Sequence, residues 1–166
     1  MGGASVSAAL SDAEIRALIE EPKLLPPNYR SRLHLRHKRG RNERHLDVTG
    51  QDGGEYRIIA TQSVTNPLSF SVILVCRMRG SNRLFRLRRY NGKSHQHTNR
   101  IEGRTFYDCH IHMATERYQR LGMREDSYAE VTDRFADLDS ALNCLVGDCM
   151  FQMPTNGIMS LFGEGQ

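Results

Sequence analysis

The sequence predicts an α+β domain: a curved, mostly antiparallel sheet of five to six strands flanked by an N-terminal and a C-terminal helix. Apolar residues recur at helical spacing near the two ends of the chain, whereas period-two alternation dominates from residue 31 to residue 113. The alternating runs are short and are separated by Gly- and Asn-containing turns, which is typical of hairpin-connected strands. A chain of 166 residues with 39% hydrophobic content can bury its own core, so we expect one domain over residues 1–151.

The N-terminal helix is predicted from a capping box. Ser11 and Glu14 stand at the N-cap and N3 positions ahead of the apolar residues Ile15 and Ile19. Pro22 cannot continue a helix. We therefore expect a helix over residues 12–21.

The predicted sheet begins at Ser31 with a hairpin that turns at residues 39–42 and carries one basic face. A further strand is expected from residue 55 to about residue 62. Residues 70–79 are apolar on both faces through Cys76, which predicts the central strand, with Val72 and Leu74 buried near its middle. The next strand, residues 83–90, should point Phe85 and Leu87 inward and Arg86 and Arg88 outward.

A helical segment is predicted over residues 126–147. Its main evidence is an apolar stripe at helical spacing that follows a candidate cap at Asp137: Leu138, Ala141, Leu142 and Leu145. Residues 128–135 fit either a helical turn or a short strand. The remaining residues, 152–166, are predicted to form a mobile tail.

Four of the seven histidines lie between Tyr90 and Met113, as two H-x-H pairs. If residues 108–113 form a strand, Asp108, His110 and His112 share one face. The alternate residues then face a core: Cys109, Ile111 and Met113. His95 and His97 follow the turn signal Asn91-Gly92, so we expect that pair on a loop.

Acid–base catalysis on a phosphodiester is one interpretation of these histidines. Imidazole is both a proton acceptor and a proton donor near neutrality. His110 and His112 would be the pair on the strand, His95 or His97 the partner on the loop, and Asp108 would orient one ring. Metal-independent cleavage of RNA, by a hydrolase or transferase of the ribonuclease type, needs no cofactor beyond these groups.

Two other interpretations remain open beside a purely structural role. His95, His97, His110 and His112 could ligate zinc or another transition metal. Alternatively, the chain is a binding module for a nucleotide, nucleic acid or protein partner. The candidate phosphate-binding residues for this module, and for catalysis, are Arg32, Arg36, Arg86, Arg88 and Lys93.

Charge and cysteine content indicate the class of partner and the cellular location. The net charge is +4, and much of the arginine lies in residues 30–45 and 77–104, which favours a partner rich in phosphate. The four cysteines have no C-x-x-C spacing, and there is no signal peptide or long apolar run. We therefore expect reduced thiols, a cytoplasmic location and no membrane association. P-loop, dinucleotide-binding and G-x-S-x-G motifs are missing from the sequence.

The second half of the chain resembles a group of small bacterial proteins, some of them encoded near mobile elements. The runs that carry the resemblance are H-x-H-T-N, H-I-H-M-A-T-E-R-Y and T-D-R-F-A-D-L-D-S-A-L. It implies a prokaryotic or phage setting, such as defence, counter-defence or a toxin–antitoxin pair. It implies no role for any residue.

Overall fold

The computed structural model describes residues 8–154, and this part of the chain holds four helices and eleven strands. Their bounds in chain order are α1 (Asp12–Glu20), β1 (Lys23–Leu24), α2 (Tyr29–Arg32), β2 (Arg36–Lys38), β3 (Arg41–Thr49), β4 (Glu55–Ser63), β5 (Phe70–Arg77), β6 (Leu84–Asn91), β7 (His97–Asn99), β8 (Arg104–Phe106), β9 (His110–Met113), α3 (Glu116–Arg120), β10 (Tyr128–Val131), α4 (Leu138–Asp148) and β11 (Phe151–Gln152).

The main sheet has seven strands in the order β10-β9-β6-β5-β4-β3-β2, and every neighbouring pair is antiparallel. The α+β class and the antiparallel sheet are therefore confirmed, with more strands than expected. β7 and β8 form a separate hairpin, and β1 pairs with β11 in parallel. β2 and β10 are the two edge strands of the main sheet.

β5 is the middle strand of the seven, as its continuous apolar run predicts. Val72 and Leu74 are fully buried on the face that carries the hydrophobic core. Val75 is buried as well and continues the apolar run in sequence. Because a strand in this position is covered on both sides for part of its length, its sequence lacks the usual alternation.

Both longer helices contribute to the same core as the sheet. α1 supplies Ile15 and Ile19, and α4 supplies Ala141 and Leu145 among others. The predicted capping box of α1 is present, since the Ser11 hydroxyl accepts from the amide of Glu14 at 3.1 Å. α1 ends at Glu20, one residue before the predicted end.

The prediction of a strand from Ser31 is wrong. Tyr29–Arg32 is a short helix, and the strand begins at Arg36. Tyr29 and Leu33, four residues apart, are both buried, so this segment faces the core with helical spacing. The turn of the hairpin is Arg39-Gly40, and both residues have positive φ (49° and 80°), as a type I′ turn requires.

The predicted outward direction of Arg88 is also wrong, because a β-bulge interrupts the pairing of β5 with β6. Arg86 lies opposite Val75, but Arg88 lies opposite Leu74, so Leu87 is the extra residue. Residues directly opposite each other share a face, which places Arg88 on the same face as the core residue Leu74. Arg88 is half-buried there.

The predicted helical segment 126–147 divides into two elements. Tyr128–Val131 is a strand at the edge of the main sheet, and the helix starts only at Leu138, where Asp137 and Ser140 form a capping box. Of the tail predicted to be mobile, Gln152 lies in β11, and the residues after 154 lie outside the described ones. The four cysteines are free thiols. In residues 8–154, no helix has the length and apolar character needed to cross a membrane.

Candidate functional site

Strand β9 carries two of the clustered histidines on the face opposite the core. Alternation sends Cys109 and Ile111 into the hydrophobic core, as predicted, and His110 and His112 to the other side. His110 lies beside Asn91 of β6, and both histidines are at most 2% exposed. The histidine row is therefore buried, whereas a polar face of a strand is ordinarily solvated.

The hairpin β7–β8 brings a third histidine onto this row. The ring centroid of His97 lies 4.6 Å from that of His112 and 5.4 Å from that of His110, and the His97 and His110 rings are stacked. Phe106, opposite His97 in the hairpin, packs its ring edge against His110 at 5.3 Å. The prediction of a loop is thus wrong for His97, which lies on a strand, and holds for His95, which precedes it.

Asn99 ties the hairpin to the main sheet. Its side-chain amide donates to the carbonyl of Ala129 at 2.7 Å, and the Ala129 amide donates to Asn99 Oδ1 at 2.9 Å. This pair of bonds fixes which atom of the Asn99 amide is the oxygen. Because Asn99 Oδ1 also lies 3.0 Å from His97 Nε2, that nitrogen is positioned to donate a hydrogen bond to it.

The tautomers of the two β9 histidines follow from their partners. His110 Nδ1 lies 2.7 Å from the backbone carbonyl oxygen of Asp108, and His112 Nδ1 lies 2.8 Å from that of Asp126. A carbonyl oxygen only accepts, so each Nδ1 donates. In the neutral imidazoles the Nε2 atoms therefore carry the lone pairs. The Nε2 of His112 is 3.3 Å from the amide nitrogen of Asn91, and the Nε2 of His110 has no hydrogen-bond partner.

An ion pair lies next to the histidines. Arg89, opposite His112 in the sheet, places its Nε 3.0 Å from Asp126, whose carboxylate is fully buried and also contacts Arg124 at 3.1 Å. The carboxylate balances part of the positive charge of the two guanidinium groups.

Burial keeps the clustered imidazoles neutral. It lowers the pKa of His110 to about 4 and that of His112 to about 2, with Arg89 a further cause of the low His112 pKa. Burial is also the largest cause that lowers the pKa of His97. At neutral pH all three rings are thus lone-pair donors to a metal ion or a proton, rather than cations.

The other predicted members of the site have different positions. His95 is exposed, with its ring centroid 5.8 Å from that of His110. Asp108 orients His110 as predicted, but through its backbone carbonyl, because its carboxylate is exposed. Lys93 is exposed between β6 and β7.

A metal ion could be held by three of the four histidines proposed as alternative ligands. His97, His110 and His112 each offer one ring nitrogen, and the three nitrogens lie within 4.8 Å of one another. His95 is not part of this group.

The structure does not bring the predicted phosphate-binding residues together. Arg32 lies on helix α2, Arg36 is on edge strand β2, and Arg86 is on β6. Three strands separate β2 from β6, which is roughly 19 Å at the usual strand spacing. The main chain and the guanidinium of Arg86 both face Glu125. These residues therefore do not form one continuous phosphate-binding surface.

A second charged feature is the segment 30–41, here called the basic hairpin, which includes most of α2, all of β2, the turn at Arg39-Gly40 and the first residue of β3. The segment contains no carboxylate. Its six permanent cations are all exposed: Arg30, Arg32, Arg36, Lys38, Arg39 and Arg41. None of the six forms a salt bridge within residues 8–154. Without these six charges the chain's net charge of +4 would be −2.

Four residues of the histidine site were not predicted from the sequence: Arg89, Asn91, Asn99 and Asp126. Asn91 had been assigned to a turn, because Asn-Gly occurs often in turns, and Asn99 had been given no role. The signal that could have found them is their position on the two sides of the first H-x-H pair, in the run N-G-K-S-H-Q-H-T-N.

Comparisons with protein-family models, curated proteins and solved structures found no match to this chain. The resemblance to bacterial mobile-element proteins stays a prediction. The functional argument therefore rests on the geometry of the histidine cluster and of the basic hairpin.

Proposed function

We propose that this chain is a nucleic-acid-binding domain that holds the phosphate backbone with the basic hairpin. The observation that carries the proposal is the concentration of the chain's whole positive excess in twelve residues that contain no carboxylate. Guanidinium groups that lack a carboxylate partner are free to donate paired hydrogen bonds to phosphate oxygens.

The position of the basic hairpin supports a contact with an extended polyanion. β2 is an edge strand of the main sheet, and its three residues are all exposed. The two-residue turn places Lys38 and Arg41 directly opposite each other, with Arg39 in the turn between them. Several cations on one protruding element can contact successive phosphates, whereas a free nucleotide engages only one or two of them.

The test is binding of labelled single-stranded RNA and double-stranded DNA, measured by fluorescence anisotropy as a function of salt. If all six cations contact phosphate, the logarithm of the binding constant should fall with the logarithm of salt concentration with a slope of about −4 to −5. The double variant Arg36→Ala/Lys38→Ala should lose about tenfold or more in affinity and show a shallower slope.

The matched control is Arg104→Ala/Arg120→Ala, which removes the same charge from exposed positions on β8 and α3. Its affinity should stay within about twofold of the wild type, because these residues lie outside the basic hairpin. Equal losses in both variants would mean that net charge alone governs binding. Absence of binding even at low salt would reject the proposal in favour of a protein or nucleotide partner.

Metal-independent cleavage of RNA is a second candidate function, favoured by the contact of the exposed His95 with the buried His110. This reaction needs a protonated and a neutral imidazole together. Of the two rings, the exposed His95 is the one that can reach an RNA substrate, and the buried His110 would act as its partner. Cleavage that persists in chelator and falls about 100-fold or more in His95→Ala would support this function. Cleavage that His95→Ala leaves unchanged would reject it.

A further inference from the structure

The geometry points to a transition-metal centre of the zinc class formed by His97, His110 and His112. This inference is independent of nucleic-acid binding, because its residues lie on β7 and β9 and not on the basic hairpin. Three imidazole nitrogens are the ligand set of many catalytic zinc sites, in which water or substrate takes the fourth position. Imidazole also suits copper, iron and nickel, whereas magnesium and calcium prefer oxygen ligands.

The spacing of the nitrogens fits such a centre after a small adjustment. Nitrogens bound to zinc at about 2.0–2.1 Å in a tetrahedron lie about 3.3–3.4 Å apart. The three nitrogens here lie within 4.8 Å of one another, so the rings would close by at most about 1.5 Å. Rotation of imidazoles about their side-chain torsions covers this range without a change of the backbone.

Each imidazole has the kind of outer partner that metal-binding histidines have. His110 and His112 each donate Nδ1–H to a backbone carbonyl, and His97 is held by Asn99. Such contacts fix the tautomer and the ring orientation and leave the opposite nitrogen with its lone pair. In His112 this nitrogen faces the side-chain amide nitrogen of Asn91 at 3.3 Å, a contact that a metal ion would replace. Two of the three contacts are made to backbone carbonyls, those of Asp108 and Asp126. The backbone fold therefore positions these two acceptors.

Three buried polar atoms at the site have no hydrogen-bond partner. One is Nε of Arg89, which nevertheless has the Asp126 carboxylate 3.0 Å away. The other two, Nε2 of His110 and Oδ1 of Asn91, belong to directly opposite residues of β9 and β6. A buried polar atom without a partner costs about 1–3 kcal/mol. A metal ion bound by His110 Nε2 satisfies that atom, and a metal-bound water can donate to Asn91 Oδ1.

The centre would also join two separate parts of the fold. His97 belongs to the two-stranded β7–β8 sheet, and His110 and His112 belong to the main sheet. Within residues 8–154, the hydrogen bonds of Asn99 to Ala129 are direct links between them. A metal ion bound by all three histidines would add a second link, so binding should stabilise the folded protein.

The test uses the full chain, equilibrated with zinc, passed through a desalting column and analysed for metal content. We expect one zinc per chain and a raised melting temperature relative to the chelator-treated protein. Cobalt(II), added to the chelator-treated protein, should give the intense visible absorption of four-coordinate cobalt with nitrogen ligands. Both measurements are made without nucleic acid, so their outcome is separate from that of the binding assay.

The variants are His112→Ala and the milder His97→Gln, with His45→Ala, an exposed histidine on β3, as the matched control. Loss of one ligand should weaken cobalt binding at least 100-fold, since loss of an outer partner alone costs 10–100-fold. If His112→Ala fails to fold, His97→Gln decides, because His97 is partly exposed and its ring lies on the hairpin. A folded wild type that retains no zinc and gives no cobalt absorption would overturn the inference, as would unchanged binding by His97→Gln.

Discussion

At the scale of the residue, the fold buries the ammonium group of Lys23, and this burial lowers the pKa of Lys23 to about 8. The side chain of Lys23 is 0% exposed, and its ammonium group lies within 3.0 Å of four backbone carbonyl oxygens. Three of them, from Leu18, Ile19 and Glu21, belong to the end of α1 or follow it, and the fourth belongs to Cys149 at the end of α4. The carbonyl groups at the ends of two helices are thereby satisfied by one cation, as helix C-termini favour.

Lys23→Met should destabilise the protein by about 3 kcal/mol or more, because it leaves several buried carbonyl oxygens without a donor. The measurement is the free energy of unfolding in urea. Lys38→Met is the matched control, since Lys38 is exposed on β2, and it should change the free energy by less than about 0.5 kcal/mol. A Lys23→Met variant as stable as the wild type would mean that the ammonium group contributes no net stability.

At the scale of the element, strands β6 and β9 carry core residues on one face of the main sheet and residues of the histidine site on the other. In β9 strict alternation sends Ile111 to the core and His110 and His112 to the opposite face. In β6 the bulge at Leu87 breaks the alternation, so Arg88 faces the core side while Arg89 lies opposite His112. A bulge shifts every later residue of the strand to the other face. Arg89 therefore reaches the histidines only because β6 contains this extra residue.

Leu74→Ala on the middle strand β5 should cost about 2–5 kcal/mol of unfolding free energy, through lost apolar burial and the cavity that remains. Leu74 is fully buried, and its neighbours on both sides are long strands. Leu121→Ala is the control, because that side chain is 62% exposed. A loss below about 1 kcal/mol for Leu74→Ala, measured by chemical denaturation, would contradict the central position of β5.

At the scale of the whole molecule, a segment that follows the first helix pairs with a segment near the end of the described residues. β1, just after α1, pairs in parallel with β11, and Phe151 is buried in the core. The ammonium of Lys23 lies 5.6 Å from the ring centroid of Phe151. Residues more than a hundred positions apart thus form one contact region.

A chain that ends at Cys149 should be markedly less stable than one that ends at Pro154. The shorter chain loses β11, the burial of Phe151 and the hydrogen bonds between β11 and β1, whereas the longer one keeps every contact described here. Loss of the buried Phe151 side chain alone is worth about 3–5 kcal/mol. Thermal unfolding followed by circular dichroism compares the two chains, and equal melting temperatures would show that the β1–β11 pair is dispensable.

The sequence by itself determined the features that depend on local order. Capping residues marked the starts of α1 and α4, and the apolar run at residues 70–77 marked the middle strand. The alternation from Cys109 to Met113 determined that His110 and His112 share a face. These features were predictable because side-chain direction along a helix or strand repeats with a fixed period.

Only the tertiary structure decided which groups meet. His97 reaches the β9 histidines because Asn99 bonds to Ala129, thirty residues further along the chain. Arg89 faces the site because of one bulge. Tyr29 and Leu33, four residues apart, are buried together when residues 29–32 form a helix rather than a strand. A sequence pattern encodes the face on which a residue lies, but not the docking of a hairpin or the register of a neighbouring strand. Those depend on packing and hydrogen bonds between distant segments, and here they form the histidine site.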